Sequence, residues 1–306
     1  MNMKMITYNV AFYEASERTM KVCYEGQSLS DYTLDKRALR LGAMVEHFKP
    51  DVLALQEVNH RWWHPILTAE DSIAKKYGYD WAGNLSTYGN GDGLNCGKDH
   101  DIYNLLLWNR EKYEKIDCGV FRLSDRIYTN ADQDRMCTYA ILKDRATGME
   151  VLCASAHLCT HVNETMNALS IFQAKTLTAT LSRLAEGRTV VVGGDFNSYD
   201  SADCYGHITR EAGFLDSRLT AGVNHTPRMC SARVWGWEQN WNNGKSTPID
   251  YIFYRGDALI PEEWTVMTDT YDGEGRISTE MDAIGVNYDL SDHQGVCANF
   301  REVTKS

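Results

Sequence analysis

An acid followed directly by a histidine lies near the C-terminal end of the chain, in Ser291-Asp292-His293, ahead of the apolar run 295–300. Adjacent side chains of an extended strand point to opposite faces of a sheet. Only a turn can therefore direct both ionisable groups toward one target, and serine is a residue type that turns favour. Taken alone, the stretch is typical of a surface turn before an edge strand. Its chemistry depends on the partners that the rest of the chain supplies.

Other polar side chains stand at or near the ends of predicted apolar strands, where a rigid scaffold presents active groups. Each also has a structural interpretation, as a turn former, a helix cap, a satisfied core histidine or an acceptor for a backbone amide. Their shared placement favours one common site instead. The residues are Asn9, Glu57, His157, Asp195, Asn197 and Asp250.

The donor chemistry of these residues favours a hard divalent cation. Carboxylate and amide oxygens without paired His or Cys ligands suit Mg²⁺ or Mn²⁺. Such ions act on phosphate esters by binding their oxygens and stabilising the charge that develops. A nearby histidine can donate to a phosphate oxygen or take a proton from water.

Alternating strands and helices must position these residues. Strands are predicted at 3–10, 51–58, 103–109, 136–144, 149–157, 189–197, 248–254, 264–270 and 295–301. Helices are predicted at 35–48, 64–77, 164–186 and 201–212, whereas 110–134 has no clear pattern and 11–34, 83–101 and 225–247 are predicted loops. No linker or change of composition divides the chain. We therefore expect a single α/β domain over residues 1–306, with two packed sheets inside helices.

Composition excludes some classes of function. The chain has 306 residues, 43% of them hydrophobic, and a net charge of −11. Because it has no overall basic field and no Lys/Arg cluster in its loops, a long DNA groove is not indicated. The glycine run 89–93 lies in a polar loop without the flanking strand and helix of a dinucleotide-binding turn.

Cysteine usage and hydropathy bear on location. The nine cysteines are odd in number and lack Cys-x-x-Cys pairs, which is typical of reduced thiols in a cytoplasmic protein. No apolar run approaches the roughly 20 residues of a membrane-spanning helix. Residues 3–10 already have the pattern of a strand, so we expect no signal peptide and a cytoplasmic location. Nothing in the sequence indicates an obligate protein partner.

Six short motifs resemble those of the endonuclease/exonuclease/phosphatase superfamily, which has the deoxyribonuclease I-like fold. They follow the family's order and extend from residue 8 to residue 300. The resemblance implies a four-layer α/β/β/α sandwich (α+β) of two mainly antiparallel sheets flanked by helices. The motifs are Tyr8-Asn9, Leu55-Gln56-Glu57-Val58, Ser155-Ala156-His157-Leu158, Gly193-Gly194-Asp195-Phe196-Asn197-Ser198, Ile249-Asp250-Tyr251-Ile252 and Ser291-Asp292-His293.

The resemblance further implies metal-dependent hydrolysis by in-line attack of water on phosphorus. Glu57 would be the principal ligand of Mg²⁺ (or Mn²⁺), with Asn9 and Asp292 close to the same ion. A second ion near Asp195, Asn197 and His293 is an open alternative.

The remaining residues would act on the phosphate and the water. Asp195 would orient or deprotonate the attacking water, and Asn197 would position the water or the phosphate. Asp250 would accept a hydrogen bond from His293, which would serve as base or as donor to the phosphate. His157 would donate to a non-bridging oxygen. Whether Asp195 or His293 is the general base stays open.

Two further residues match substrate-side positions of the family. Arg135 corresponds to an arginine that often faces substrate phosphate, with a solvated loop arginine as the alternative. Asn104 begins a strand in a region that often contacts substrate, with a core or turn role as the alternative. Ser170 departs from the family, because a basic residue usually stands three positions before the pair Gln173-Ala174.

Substrate identity is the open question at this level. The histidine motif at 157 places the chain with the sphingomyelinase-like, phosphatase-like or pancreatic-deoxyribonuclease-like branches. We expect a small phosphomonoester or phosphodiester, with DNA or RNA endo- or exonuclease activity and a sphingomyelinase-like or phosphoinositide substrate as alternatives. A non-catalytic binding module would have lost site residues, and none is missing. Several tryptophans could stack on substrate or anchor loops, namely Trp62, Trp63, Trp235, Trp237 and Trp241.

Overall fold

Two β-sheets packed face to face form the centre of the molecule, and helices cover their outer sides. The computed structural model describes residues 1–11, 33–83, 103–124, 135–159, 163–226, 231–232, 248–267, 270–271, 277–278 and 291–303.

The first sheet contains seven strands. They are β1 (Asn2–Asn9), β2 (Val52–Val58), β3 (Tyr79–Ala82), β4 (Tyr103–Asn109), β10 (Val223–Asn224), β12 (Leu259–Val266) and β15 (Val296–Glu302). Their order across the sheet is β10-β12-β15-β1-β2-β4-β3. β1 is parallel to β2 and antiparallel to β15, so the ends of β1 and β2 that carry Asn9 and Glu57 meet at one edge.

The second sheet contains six strands. They are β5 (Tyr113–Ser124), β6 (Arg135–Asp144), β7 (Glu150–His157), β8 (Thr189–Asp195), β9 (Leu215–Asp216) and β11 (Asp250–Arg255). Their order is β5-β6-β7-β8-β11-β9, and only β7 and β8 are parallel neighbours. A separate two-stranded pair consists of β13 (Thr270–Tyr271) and β14 (Ile277–Ser278).

Three pairs of neighbouring strands are parallel, namely β1–β2, β7–β8 and β10–β12. A long helix connects the first two pairs, because parallel neighbours require a crossover. Helix α1 (Leu34–Phe48) links β1 to β2 and ends at Lys49, which has the left-handed conformation. Four short helices follow in other connections, namely α2 (His60–Trp63), α3 (Ile73–Lys76), α5 (Asp203–Gly206) and α6 (Ser217–Thr220). Helix α4 (Glu164–Ala185) links β7 to β8, and the Asn163 side chain caps its first turn by accepting from the Met166 amide.

Three apolar clusters of buried side chains separate the layers. One lies between the two sheets and includes Met5, Leu106 and Phe300. A second fills the space between α1 and the first sheet, and a third the space between α4 and the second sheet. Burial of these faces supplies the main driving force for the arrangement. The predicted α/β/β/α sandwich of mainly antiparallel sheets is confirmed.

The structure differs from the sequence prediction in several regions. The helix predicted at 64–77 is instead a π-helical turn (His64–Thr68), which follows α2 directly and contains Pro65, and the separate short helix α3. Proline lacks the amide hydrogen that a continuous helix needs. The unassigned region 110–134 contains β5, an edge strand with two register shifts. β12 ends at Val266, whereas the strand was predicted at 264–270.

The helix predicted at 201–212 is also interrupted, since this region consists of α5 and a π-helical turn (His207–Glu211). The predicted loops 11–34, 83–101 and 225–247 lie mostly outside the described residues. No helix among the described residues combines the length and the apolar character needed to cross a membrane.

Candidate active site

The register of the second sheet brings three of the predicted site residues side by side. His157 ends β7, Asp195 ends β8, and Asp250 begins β11. Asp195 is the strand partner of both His157 and Asp250. All three side chains are buried. These three strand ends therefore bring His157, Asp195 and Asp250 together in one cluster centred on Asp195.

Glycines allow the strands to approach each other closely beside this cluster. A Cβ atom on Gly194 would lie 2.2 Å from the carbonyl oxygen of Ala156, on the neighbouring strand β7. A Cβ atom on Gly193 would lie 2.8 Å from Cβ of Thr7, across the sandwich on β1. Because real Cβ contacts are longer than this, only glycine fits at position 194 without moving the backbone.

Two site residues adopt the left-handed backbone conformation that side chains other than glycine rarely take. Glu57 has φ +59°, at a register shift of β2 between Leu55 and Val58. Asn197 has φ +48°, and its amide donates to Oδ1 of Asp195 at 2.8 Å. Such local strain is concentrated at functional sites, where it re-aims a side chain. At Glu57 the register shift interrupts the alternation of side chains along β2, at the end of the strand that lies near Asp195.

Asn9 joins the two sheets at the site. Its Nδ2 donates to Oδ2 of Asp195 at 2.9 Å and to Oε1 of Glu57 at 3.1 Å. Its Oδ1 accepts from the backbone amide of Ala11 at 2.9 Å. Because a backbone N–H can only donate, this contact determines which way the side-chain amide points. Asn9 therefore presents its amino group, and not its oxygen, to the two carboxylates.

The Ser291-Asp292-His293 stretch forms the turn that its sequence requires. Oγ of Ser291 donates to the carbonyl oxygen of Asn9 at 2.7 Å and accepts from the His293 amide at 3.2 Å. Nδ1 of His293 lies 2.9 Å from Oδ2 of Asp250. Its Nε2 lies 3.7 Å from Oδ2 of Asp195 and 3.5 Å from Nδ2 of Asn9. The expected acid–histidine pair is thus present in the geometry.

Burial and neighbouring charges together shift the pKa values of His293 and Asp195. Burial alone would lower the pKa of His293, but the carboxylates of Asp250 and Asp195 raise it well above its usual value. Burial and the neighbouring Asp250 raise the pKa of Asp195 to about 7, against the opposing effects of His293 and the Asn9 hydrogen bond. A bound divalent cation would favour the ionised form of these carboxylates.

His157 is held neutral next to this centre. Burial lowers its pKa well below the usual value, and the charges of Arg135 and His293 lower it further. Its Nε2 lies 3.0 Å from Nδ2 of Asn197 and 3.4 Å from Oδ2 of Asp195. Nδ2 of Asn197 also donates to the Leu158 carbonyl at 2.9 Å, so the asparagine presents a donor to the ring. This arrangement favours the tautomer in which Nε2 of His157 accepts.

The donor set fits a hard divalent cation. Ligand atoms of Glu57, His157 and Asp195 lie within 4.8 Å of one another, as do those of Asp195, Asp250 and His293. The Glu57 and Asp195 carboxylates suit Mg²⁺ or Mn²⁺. Asp292 belongs to neither group; its side chain is buried, and its Oδ1 lies 3.2 Å from Oγ of Ser291.

The two predicted substrate-side residues lie in different settings. Asn104 is buried, its Nδ2 donates to the Met136 carbonyl at 2.5 Å, and its own carbonyl accepts from Thr138 at 2.5 Å. Asn104 therefore links β4 of the first sheet to β6 of the second, which matches the core role given as its alternative. Arg135 is also buried, and its charge acts on His157, so it is not a solvated loop arginine.

Other sequence features have structural partners. Ser170 donates to the Asn167 carbonyl within α4, where the family usually has a basic residue. Trp62 is fully buried, which matches the loop-anchor interpretation, and Trp63 packs edge to face on Trp81 at 5.1 Å. Trp235, Trp237 and Trp241 lie outside the described residues.

Sequence reasoning missed Ser231. Its Oγ donates to Oδ2 of Asp250 at 2.6 Å and accepts from the amides of Ile249 and Asp250, both at 3.0 Å. It thereby holds the carboxylate that orients His293. The only sequence signal was its place in the predicted loop 225–247, which marks no individual residue. Arg37, which is buried on α1, was missed as well.

Comparisons with known proteins agree with the fold. The family model described as "Endonuclease/Exonuclease/phosphatase family" matches residues 6–293. No curated protein sequence matches the chain. Solved structures match in fold over nearly all of it.

Three of these structures cover different members of the fold. An endonuclease/exonuclease/phosphatase from Bacteroides vulgatus is 21% identical, with a TM-score of 0.69, over 99% of this chain and 100% of that one. The mannosyl-6-phosphatase of Bacteroides thetaiotaomicron is 18% identical, with a TM-score of 0.72, over 98% and 99%. The human nocturnin catalytic domain, solved with bound sulfate, is 15% identical, with a TM-score of 0.64, over 99% and 94%.

Proposed function

The chain belongs to the endonuclease/exonuclease/phosphatase family, and from this premise we propose that it is a phosphoester hydrolase dependent on Mg²⁺ or Mn²⁺. The observation that carries the proposal is the cluster around Asp195. One buried carboxylate lies within hydrogen-bond or ion-pair distance of Asn9, His157 and His293, and within metal-site distance of Glu57.

Glu57 and Asp195 would hold the cation. Asp292, which is adjacent to His293, and Asn9 remain candidates for the same ion, but Asn9 could ligate through Oδ1 only by giving up the Ala11 amide. When bound, the cation would polarise the phosphoryl oxygens and stabilise the charge that develops on them.

The protein's own groups would handle the water and its proton. We propose that water attacks phosphorus in line with the departing oxygen, and that its proton passes to Asp195 or to His293. Asp195 is placed for the role of base, since its Oδ2 lies 3.7 Å from Nε2 of His293 and 2.9 Å from Nδ2 of Asn9 at the centre of the cluster. His293 is held by Asp250 through Nδ1, so its Nε2 faces the reacting groups. Asn197 would position the water or the phosphate.

Two residues would bind the phosphate. His157 is neutral and lies against Asp195 and Asn197, and it would donate to a non-bridging oxygen through Nε2 by taking the other tautomer when substrate displaces the Asn197 contact. Arg135 lies near His157 and would contribute positive charge. Asn104, which bridges the sheets, would support this side of the site through Met136.

A small phosphomonoester is the substrate class that we favour. The net charge of −11 gives no general attraction for a long polyanion. One structure of the same fold carries the name mannosyl-6-phosphatase, which agrees with a sugar phosphate as the first compound to try.

The test is a panel of four substrates with Mg²⁺, with Mn²⁺ and with chelator. Mannose 6-phosphate, bis(p-nitrophenyl) phosphate, supercoiled plasmid and sphingomyelin represent a monoester, a diester, a nucleic acid and a lipid headgroup ester. We expect metal-dependent turnover of the monoester, loss of activity by at least about 100-fold in Glu57→Gln and His293→Ala, and near wild-type activity in His207→Gln. His207 is a matched control because it contacts Thr178 and Glu211, away from the cluster.

Faster nicking of the plasmid would replace the monoester by a nucleic acid, and faster sphingomyelin cleavage would replace it by a lipid headgroup. Metal binding without turnover of any substrate would indicate a binding module and refute the catalytic proposal.

A further inference from the structure

The backbone just beyond Asn9 is held by two buried side chains from other elements. The guanidinium of Arg37, on α1, donates through Nη2 to the carbonyl oxygens of Val10 and Ala11, the second at 3.0 Å. The indole of Trp62, on α2, donates through Nε1 to the same Ala11 oxygen at 3.2 Å. The guanidinium carbon of Arg37 lies 5.1 Å from the centre of the Trp62 ring, a cation–π distance. We call Arg37 and Trp62 the carbonyl clamp.

The clamp holds a conformation that the chain would not adopt by itself. Ala11 has φ +53°, in the left-handed region that alanine rarely occupies. Such a residue persists only where its surroundings over-determine it. Arg37 is 3% exposed, and a buried guanidinium is costly unless it is hydrogen-bonded. Two buried donors directed at the peptide carbonyls on either side of the strained Ala11 provide the restraint that this conformation needs.

The strained peptide in turn sets the direction of the Asn9 side chain. The amide of Ala11 donates to Oδ1 of Asn9 at 2.9 Å. With its oxygen held there, Asn9 has its Nδ2 available for Oε1 of Glu57 and Oδ2 of Asp195. A chain of contacts therefore connects Arg37 to the two carboxylates without Arg37 touching either of them in the hydrogen bonds described.

We infer that Arg37 and Trp62 are positioning residues for the cation site, acting through the Ala11 peptide and the Asn9 amide. The inference rests on the proposed function, since it assigns the purpose of the clamp to the Glu57–Asp195 cation. Partners beyond the direct ligands commonly change metal affinity by about 10- to 100-fold when they are removed. The carbonyl clamp belongs to this class.

A purely structural role for Arg37, in docking α1, makes a different prediction. It would lower stability without acting through Asn9. Arg110 supplies the matched control, because its Nη2 also donates to two backbone carbonyls, Ala74 at 3.1 Å and Tyr79 at 2.8 Å. It lies at the other end of the same sheet, next to the end of β4.

The test is Mn²⁺ binding by titration calorimetry, arranged as a double-mutant cycle of Arg37→Met and Asn9→Ala. We expect Arg37→Met to weaken Mn²⁺ binding about 10-fold and to have no further effect in the Asn9→Ala background. Trp62→Phe, which removes a single donor, should weaken binding by about threefold. Arg110→Met should bind Mn²⁺ within about twofold of wild type, although its stability falls. Exchange of the Ala11 amide hydrogen should be faster in both clamp variants.

Additive losses in the double-mutant cycle, or wild-type Mn²⁺ affinity in Trp62→Phe with unchanged Ala11 exchange, would overturn the inference. Trp62→Phe decides the matter if Arg37→Met does not fold. This test can fail while the proposed function stands. If wild type hydrolyses substrate and the clamp variants bind Mn²⁺ as tightly as wild type, the positioning role of the clamp alone is refuted. A wild type that binds no Mn²⁺ refutes both.

Discussion

The direction of a single amide determines what Asn9 can do. With Oδ1 held by the Ala11 amide, its Nδ2 lies between Glu57 and Asp195 and offsets their mutual repulsion. A cation would take over that task when it binds. The amide would thus keep two like charges close together in the absence of a cation.

Replacing this amide by a carboxylate tests that role. Asn9→Asp keeps the shape but places a third acid beside Glu57 and Asp195. We expect the free energy of unfolding without metal to fall by about 1–3 kcal/mol, and Mn²⁺ to restore more stability than it adds to wild type. Urea denaturation with Mn²⁺ and with chelator measures both. Equal Mn²⁺ gains in the two proteins would contradict the role.

Asp250 gives a second prediction at this scale. Asp250→Asn removes the charge that orients His293 at Nδ1 and leaves the shape of the side chain unchanged. We expect kcat to fall by about 10²- to 10⁴-fold with little change in KM, since orientation matters most in the transition state. Steady-state kinetics decide the point. A change confined to KM would instead assign Asp250 to substrate binding.

The residue types at the strand ends were predictable from the sequence, because each motif names them directly. Their orientations were not. The left-handed conformation of Glu57 and the direction of the Asn9 amide depend on contacts between distant segments. Ser231 and Arg37 gave no signal, because a lone serine in a loop and an arginine on a helix have many ordinary explanations.

At the scale of elements, the site depends on how closely β7 and β8 approach. Gly194→Ala would place Cβ 2.2 Å from the Ala156 carbonyl oxygen, which is backbone and cannot rotate away. We expect a loss of about 1–3 kcal/mol of stability. Gly42→Ala is the control on α1, where Cβ would meet only Tyr77, at 3.8 Å.

Because alanine is a better helix former than glycine, Gly42→Ala should gain up to about 1 kcal/mol. Urea denaturation of both variants measures the difference. A neutral Gly194→Ala would mean that the two strands can separate without cost, contrary to the packing described.

Periodicity located the long elements better than the short ones. Helices α1 and α4 lie within a residue of their predicted bounds, because each has a long, regular apolar face. The prediction of one continuous helix at 64–77 was wrong, because Pro65 and the turn after Thr68 interrupt an apolar pattern that alone favours a helix. Strand β5 was missed because its middle residues are largely exposed and lack a clear alternation.

At the scale of the whole molecule, the two sheets are tied together by polar groups near one end. Asn9 reaches Asp195, Gln56 donates to Oγ of Ser155 at 3.0 Å, and Asn104 donates to the Met136 carbonyl. A cation held by Glu57 of the first sheet and Asp195 of the second would add another link across the sandwich.

Metal binding should therefore stabilise the entire fold. With Mn²⁺ at about 100 times its Kd, linkage predicts a gain of about 2.7 kcal/mol, seen as a higher Tm. Chelator should reverse the gain, and Glu57→Gln should remove most of it. A Tm that does not change on addition of Mn²⁺ would contradict cation binding between Glu57 and Asp195.

We propose that metal-dependent attack of water occurs at phosphorus. The most direct test is hydrolysis of p-nitrophenyl phosphate in ¹⁸O-labelled water, with Mn²⁺ and with chelator, followed by mass analysis of both products. We expect one ¹⁸O atom in the released phosphate, none in the p-nitrophenol, and no turnover with chelator. Label in the p-nitrophenol, or undiminished turnover with chelator, would contradict the proposal.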